Sequence, residues 1–278
     1  MRLFANIDTK SRRMIMATLA YLLIGCGGGG GQDPILGNGS PAPSSSYLDT
    51  SLGSISTYSV FGGGAAVTNS GLLTVMDGDL GTTGVCTGIT GFHDATTSYT
   101  ETIGTLVGWV KGTIYCTASV RELKAAADAL AAYNLLSSMT PSLPLGPGSG
   151  QLAGMTVYPG IYSAPSGSFI VSTGDLTLDA QGDPNAVWVF QLPSSLTIGL
   201  IGLPSSVLLI NNAQAKNVYW QVGSAARIEN GSNMVGTIIA KAGLTISTAG
   251  YLFLTHLKGR AIALNAAVTM INTSIVAP

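Results

Sequence analysis

Residues 176–191 read LTLDAQGDPNAVWVFQ, and this stretch contains both features that recur through the second half of the chain. The first is a triplet with a polar residue between two aliphatic ones, Leu176-Thr177-Leu178. The second is an apolar segment, residues 187–191, which follows the turn sequence Asp183-Pro184-Asn185. Alternation of apolar and polar residues is typical of a strand with one buried side, and Asp-Pro-Asn is typical of a turn. The stretch therefore predicts two short strands joined by a turn.

Variants of the triplet begin at Leu176, Leu196, Ala226, Leu244 and Val268, and the apolar segment recurs as Val218-Tyr219-Trp220-Gln221-Val222. The triplets follow one another at intervals of 20, 30, 18 and 24 residues, and such a loose period matches the coils of a β-solenoid, in which each turn of the chain adds a strand to each side. The aliphatic residues of each triplet would point inward and the middle residue outward. We therefore expect an all-β solenoid with an outward column formed by Thr177, Thr197, Arg227, Thr245 and Thr269.

The composition excludes several classes of protein. Only 9% of the 278 residues are charged, 46% are hydrophobic and 37 are Gly, so the chain is neither a highly charged disordered segment nor a protein with an ion-pair-rich surface. The formal net charge is −1, and without residues 1–25 the chain keeps eight basic and twelve acidic side chains. This balance argues against nucleic acid as a partner.

The first 46 residues resemble an export signal followed by a linker. Arg2, Lys10, Arg12 and Arg13 precede an apolar run over residues 14–24, which is the length of a signal-peptide core and too short to span a bilayer. The run ends in Leu23-Ile24-Gly25-Cys26, which resembles a bacterial lipobox, so we expect residues 1–25 to be removed and Cys26 to be lipidated. Residues 26–46 are rich in Gly, Ser and Pro and are expected to tether the folded domain, residues 47–278, to the cell envelope at the outer membrane or cell surface.

Two cysteines remain in the folded part, Cys86 and Cys116. In an exported protein a lone pair most simply forms one disulfide. The alternative is a metal or nucleophilic site, but the two histidines, His93 and His256, are not at ligand spacing from either cysteine. We expect no metal and no cofactor.

One segment has helical rather than strand character. Residues 119–122, Ser-Val-Arg-Glu, match a capping box, and the Ala- and Leu-rich sequence after them stops before Pro141. Val120, Leu123, Ala127 and Leu130 recur at helical spacing and are expected to form its apolar side. The sequence predicts one α-helix over residues 119–139.

Several motifs resemble the ice-binding-like family (domain of unknown function 3494), in family order from about Leu52 to the end of the chain. They are Gly78-Asp79-Leu80-Gly81, Ile89-Thr90-Gly91-Phe92, Leu152-Ala153-Gly154-Met155-Thr156, Pro159-Gly160-Ile161-Tyr162, residues 183–191, residues 212–223, residues 235–240 and Gly259-Arg260-Ala261. The resemblance implies a discontinuous right-handed β-helix of triangular cross-section with one long α-helix packed alongside. It also implies that residues 82–119 are a cap insertion. The family is known for microbial ice-binding proteins, but these motif residues identify the fold and not the ligand.

Ice binding would need a flat, rigid, weakly charged surface of regularly spaced methyl and hydroxyl groups. Threonine supplies both groups on a stiff side chain, so Thr177, Thr197, Thr245 and Thr269 are the candidate ice-binding residues. Arg227 interrupts the column, and outward threonines also follow from β propensity alone. The family's ice binders sometimes use a Thr-Ala/Gly-X-Thr/Asn pattern, which Thr87-Gly88-Ile89-Thr90 matches.

Two other classes of function remain open. An enzyme would need clustered acidic groups, but after Gly150 the acids are only Asp175, Asp179, Asp183 and Glu229, and nothing in the sequence pairs them. A cell-surface adhesin or structural module of the same fold, binding a glycan or a protein through an apolar surface, is the stronger alternative. We expect ice adsorption without catalysis.

Overall fold

The computed structural model describes residues 44–96, 108–141, 143–144, 150–247 and 253–278. The predicted signal, Cys26 and nearly all of the predicted tether lie outside the described residues. In these ranges there are two α-helices, α1 (Ser45–Ser51) and α2 (Val120–Ser138), and three 3-10 segments, Gly53–Thr57, Cys86–Gly88 and Ala215–Asn217. No helix among the described residues is long and apolar enough to cross a membrane.

The strands are short and separated by turns. Those before α2 are β1 (Tyr58–Phe61), β2 (Val67–Asn69), β3 (Val75–Met76), β4 (Asp79–Gly81), β5 (Ile89–Thr90), β6 (Phe92–His93), β7 (Gly108–Val110) and β8 (Ile114–Tyr115). Those after it are β9 (Leu143–Pro144), β10 (Thr156–Val157), β11 (Gly160–Ser163), β12 (Phe169–Val171), β13 (Leu176–Asp179), β14 (Trp188–Leu192), β15 (Leu196–Ile198), β16 (Val207–Ile210), β17 (Val218–Val222), β18 (Ala226–Ile228), β19 (Asn233–Ala240), β20 (Leu244–Ile246), β21 (Thr255–Ala263), β22 (Val268–Met270) and β23 (Thr273–Val276).

These strands form three parallel sheets. One has three strands in the order β10-β13-β16, and a second has seven in the order β12-β15-β18-β20-β22-β2-β5. The third has thirteen strands, and its order runs from β9 at one edge through β11, β14, β17 and β19 to β21. Between β10 and β18 the chain visits the three-strand, thirteen-strand and seven-strand sheets in turn, so each pass stacks on the previous one. The N-terminal strands β1 and β2 pair with β21 and β22 and continue the stack beyond the C-terminal passes.

The thirteen-strand sheet has two parts because its longest strands pair with two sets of neighbours. The first part of β21 pairs with β23, and its last part pairs with β1. Gly236 and Gly259 are register partners at the junction. A Cβ on Gly259 would lie 1.9 Å from the Gly236 carbonyl oxygen, so only glycine allows this close approach.

Aromatic and aliphatic side chains fill the space between the sheets. Tyr162, Phe190 and Trp220 occupy one register row, and the Phe190 and Trp220 rings stack with centroids 4.0 Å apart. The buried indole of Trp220 donates to the Val235 carbonyl at 2.9 Å, so its polar atom is satisfied. This row anchors the passes that carry the outer surfaces.

Helix α2 covers the outer side of the thirteen-strand sheet and encloses a second core. Ser119 caps its first turn, as predicted, by accepting from the Arg121 amide at 3.3 Å. At the other end the Gln191 amide donates to the Leu136 and Met139 carbonyls at 2.6 and 2.7 Å, which satisfies the last turn.

The predicted apolar side of α2 is wrong. Its buried residues are Glu122, Ala125, Ala129, Ala132 and Leu136. Val120, Leu123 and Leu130 are exposed instead. The sheet already supplies large side chains at this contact, including Ile161, Val189 and Ile262, so the middle of the helix packs closely through alanines.

Both cores are built from residues between Leu48 and Ile275. Residues 34–278 form one compact unit. Residues 34–278 therefore contain both cores, and no described residue before Leu48 belongs to either one.

Candidate functional site

The outer side of the seven-strand sheet carries a row of threonines. Strand register aligns Ile170, Thr197, Arg227, Thr245, Thr269, Thr68 and Thr90, one from each strand in order. Apart from Thr90, which ends the two-residue strand β5, these are the middle residues of three-residue strands whose flanking residues are buried. We call the outer surface of this sheet the threonine face.

A second row of small residues runs beside the threonine row. It lies two positions earlier on each strand and consists of Ser168, Ser195, Ala225, Gly243, Ala267, Ala66 and Gly88. Backbone amides on the preceding strand of this order donate to the Gly243, Ala267 and Ala66 carbonyls and hold this row in the same stack. Since none of these side chains is larger than serine, nothing in this row stands above the threonines.

Four adjacent strands combine the two rows without interruption. Strands β20, β22, β2 and β5 present Gly243 with Thr245, Ala267 with Thr269, Ala66 with Thr68 and Gly88 with Thr90. The Thr245 and Thr269 hydroxyls are 3.4 Å apart. Neighbouring strands are about 4.8 Å apart, so this patch repeats methyl and hydroxyl groups at that interval and carries no charge in either row.

Arg227 separates this patch from Thr197. Its guanidinium forms an ion pair with Glu229, whose side chain is only 5% exposed, while the Arg227 side chain is 45% exposed. A long charged side chain of this kind breaks the regular surface, as the sequence predicted.

Thr177 does not belong to the predicted column. It lies in the three-strand sheet, in register with Thr156 and Leu208. The reason is the length of one pass, because the chain returns to the same sheet only when it reaches Leu208. The shorter stretch from Thr177 to Thr197 joins two different sheets within a single pass. Thr197, Thr245 and Thr269 are aligned as predicted.

Sequence reasoning alone misses Thr68 and does not place Thr90 in the column. A usable signal is present, because Ala/Gly-X-Thr with Val, Ile or Leu at X occurs at residues 66–68, 88–90, 243–245 and 267–269. Its first two copies lie before α2 and its last two lie near the C-terminus. Only the pairing of β2 with β22 shows that they are neighbours.

The other outer surfaces are less regular. The outer side of β11, β14 and β17 is buried under α2. The three-strand sheet exposes Leu208 and Ile210, and the adjoining part of β21 exposes His256 and Lys258. The uncharged patch of the threonine face therefore has no counterpart on these surfaces.

The acidic residues after Gly150 serve turns rather than a shared site. Asp175 accepts from the Ser206 amide at 2.7 Å, Asp179 from the Gln181 amide at 2.8 Å and Asp183 from the Asn185 amide at 2.8 Å. In the described part of the chain no three His, Cys, Asp or Glu side chains converge on one point.

Cys86 and Cys116 form the predicted disulfide, with their Cα atoms 5.0 Å apart. The described part of residues 82–119 also contributes strands β5 to β8 to two of the sheets. The disulfide links the segment before β5 to the residue that follows β8.

Comparisons with known proteins match this architecture. The model of the family described as ice-binding-like matches residues 61–276. An ice-binding protein of Nostoc sp. is 37% identical over 222 residues, covering 79% of this chain and 71% of that protein. An ice-binding protein of Leucosporidium sp. is 32% identical over 244 residues, covering 85% of each.

Solved structures agree with these sequence matches. The crystal structure of an ice-binding protein from an Antarctic biological consortium superposes with a TM-score of 0.64 at 33% identity, covering 81% of this chain and 90% of that one. That of Antarctomyces psychrotrophicus gives 0.66 at 29% identity, covering 82% and 97%. The family match and the shared parallel sheets establish that this chain belongs to the ice-binding-like family.

Proposed function

We propose that this protein binds ice by adsorption through the threonine face, without catalysis or a cofactor. The observation that carries the proposal is the patch on β20, β22, β2 and β5, where four Ala/Gly-X-Thr sequences are aligned in register. Its relatives named as ice-binding proteins support the same function. Within the patch, Thr245, Thr269, Thr68 and Thr90 make the contact with ice, and Thr197 lies beyond Arg227.

Adsorption follows from the stiffness and repeat of the patch. Threonine χ1 is restricted by β-branching, so methyl and hydroxyl groups stay in fixed positions. Water molecules held along the threonine row are spaced by the strand repeat, which is about 4.8 Å. The proposed shape is a right-handed β-helix of triangular cross-section, in which the threonine face is one flat side and α2 covers another.

We further propose that the mature protein is lipidated at Cys26 and anchored at the bacterial outer membrane or cell surface. The lipobox-like sequence and the Gly/Ser/Pro-rich residues that follow it support this location. An anchored protein does not diffuse to distant crystals, so it would act on ice at its own cell surface.

Blocking the patch tests the proposal. In residues 34–278, Thr245→Tyr and Thr269→Tyr each place a bulky ring in the uninterrupted threonine row, and we expect thermal hysteresis and partition into polycrystalline ice to fall at least tenfold. Thr177→Tyr is the matched control because Thr177 is also the middle residue of an apolar-Thr-apolar triplet but lies in another sheet.

The control variant should keep full activity. Equal loss in all three variants, or ice activity that survives the blocked patch, would contradict the assignment of this face. A folded wild-type domain with no ice affinity would instead favour the alternative of a cell-surface adhesin or structural module that contacts a glycan or a protein.

A further inference from the structure

One edge of the molecule carries exposed apolar side chains that neither core uses. They lie in the connections that leave the seven-strand sheet for the next strand. They are Leu72, Leu73, Leu200, Ile201, Leu203 and Phe253, each at least 41% exposed. We call these six residues the apolar edge.

Strand order places the six residues along one line. Residues 200–203 follow β15, Phe253 comes after β20, and Leu72 and Leu73 follow β2. Four strand intervals separate β15 from β2 in the seven-strand sheet, which corresponds to about 19 Å. Exposed apolar residues are ordinarily scattered singly, so a line of this length marks a contact surface.

The turns that carry these side chains have internally hydrogen-bonded backbones, which favours their transfer from water to an apolar phase. Leu200 and Leu203 exchange backbone hydrogen bonds of 2.9 Å, and the Leu73 amide donates to the Asn272 side chain at 3.2 Å. Internal pairing lowers the cost of moving backbone polar groups into an apolar phase. A hollow of about 580 Å³ lies between the projecting turns and is walled by Pro204, Phe253 and Leu254.

Charge is arranged around the edge rather than on it. In the described connections along this edge the acids are Asp175, which is engaged with the Ser206 amide, and Glu229, which is buried and paired with Arg227. Lys258 is exposed on the strand beyond Phe253, and Arg227 is exposed on the other flank. Apolar side chains flanked by cations match the boundary between lipid acyl chains and phosphate headgroups.

The start of the folded domain lies across the three-strand sheet from the apolar edge, where that sheet connects to the thirteen-strand sheet. Leu208 and Ile210 continue the exposed apolar surface along β16. Ser44 lines a hollow with Pro159 and Asp183, next to the strands of the three-strand sheet. The sequence from Cys26 to Ser44 is rich in Gly, Ser and Pro, and a linker of that composition and length would reach about 23 Å. A lipid on Cys26, as proposed above, would therefore keep the three-strand sheet within about that distance of a bilayer.

We propose that the apolar edge is a bilayer-contacting surface, which inserts its leucine, isoleucine and phenylalanine side chains at the acyl–headgroup boundary while Arg227 and Lys258 face lipid phosphates. The occupant is lipid, since projecting aliphatic turns penetrate a fluid layer without requiring a complementary cavity. The contact goes beyond ice binding and does not require the lipid on Cys26.

Vesicle flotation tests the proposal with residues 34–278, which lack Cys26. The probe is a vesicle of phosphatidylethanolamine and phosphatidylglycerol, and the wild-type domain should float with it. Ile201→Asp with Phe253→Asp changes side chains that are 65% and 69% exposed, so the fold should be unaffected. We expect the partition coefficient of this double variant to fall at least tenfold.

The matched control is Leu123→Asp with Leu130→Asp, which removes two exposed leucines from the outer side of α2 and should leave flotation unchanged. Insertion is read separately from Ile201→Trp, whose fluorescence should be quenched by brominated acyl chains, whereas Leu130→Trp should not be quenched. Thermal melts and ice assays on the same variants should match the wild type, which separates this test from that of ice binding.

Three results would overturn the proposal. They are a wild-type domain that stays out of the vesicle fraction, an Ile201→Asp/Phe253→Asp variant that floats as well as the wild type, and a wild-type dimer in sedimentation that this variant abolishes. The last result would assign the edge to a second copy of the chain.

Discussion

Arg227 is the residue that limits the size of the proposed ice-contacting patch. It occupies a threonine position between Thr197 and Thr245, and its charge is held by the buried carboxylate of Glu229. Replacing the arginine alone would leave that carboxylate without its cation, which is costly inside a protein. The pair therefore has to be changed together.

We expect Arg227→Thr with Glu229→Gln to increase thermal hysteresis about twofold or more, because the row would become continuous from Thr197 to Thr90. Arg227→Thr alone should lower the free energy of unfolding by about 2 kcal/mol. Lys258→Thr, which removes an exposed cation outside the seven-strand sheet, is the control and should change neither quantity. Unchanged or lower hysteresis in a stable double variant would show that the row does not act as one surface.

Asp128 makes a pH-dependent contribution to stability. Burial raises its pKa. Hydrogen bonds from Lys124 at 2.7 Å, the Ser54 hydroxyl at 2.6 Å and the Ser54 amide at 2.7 Å lower the pKa by more than burial raises it, so the net pKa is depressed. A depressed pKa stabilises the fold above the unfolded-state value of 3.8, and this stabilisation is lost as pH falls through the folded-state pKa.

Asp128→Asn should therefore lower the free energy of unfolding by about 1 kcal/mol at pH 7. The difference from the wild type should shrink as the pH falls below 3.8. Urea unfolding measured from pH 7 to pH 2.5 checks this. A constant difference in the free energy of unfolding between the variant and the wild type over that pH range would show that the charge of Asp128 does not contribute to stability.

At the scale of elements, α2 packs against the sheet through small residues, whereas its sequence pattern predicts that leucines do so. Ala125, Ala129 and Ala132 face the sheet, whereas Leu123 and Leu130 face away from it. Helical periodicity alone does not identify the buried side when both alanines and leucines recur at that period. The size of the side chains on the opposing sheet decides which side of α2 is buried.

Ala129→Leu should lower the free energy of unfolding by about 2 kcal/mol, because the added atoms have no room against the sheet. Leu130→Ala, at the neighbouring exposed position, should change it by less than about 0.5 kcal/mol. Thermal or urea unfolding of the two variants distinguishes these effects. The reverse order of destabilisation would place the helix on its other side.

At the scale of the whole molecule, the disulfide fastens the end of the stack where β5 and β8 are edge strands. It closes a loop over a sequence separation of 30 residues, and the chain-entropy model gives about 3.7 kcal/mol for that length. Cys86→Ser with Cys116→Ser should lower the free energy of unfolding by roughly that amount, measured in urea. Wild-type protein in excess reductant should behave like the variant, and equal stability of all three samples would contradict the prediction.

How much of the structure the sequence predicts depends on how far apart in the chain the residues that determine each feature lie. The strands of the Leu-Thr-Ile type, the capped helix and the paired cysteines are set by nearby residues or by composition, and each is predictable without any knowledge of strand pairing. The predicted threonine column is only partly right. Spacing alone assigns Thr177 and Thr197 to one column. In the structure the stretch between them is only part of a pass, so Thr177 lies in the three-strand sheet and Thr197 in the seven-strand sheet.

The sequence by itself determined that this chain forms stacked parallel strands with one long helix, because alternation, turns and caps act over a few residues. Only the tertiary structure decided which threonines share a face and which side of α2 is buried. Strand β2 lies near the start of the folded domain and β22 near its end, yet they pair directly and bring Thr68 beside Thr269. Such pairing depends on how whole passes stack and on the volume available between them, and neither quantity is contained in any local stretch of sequence.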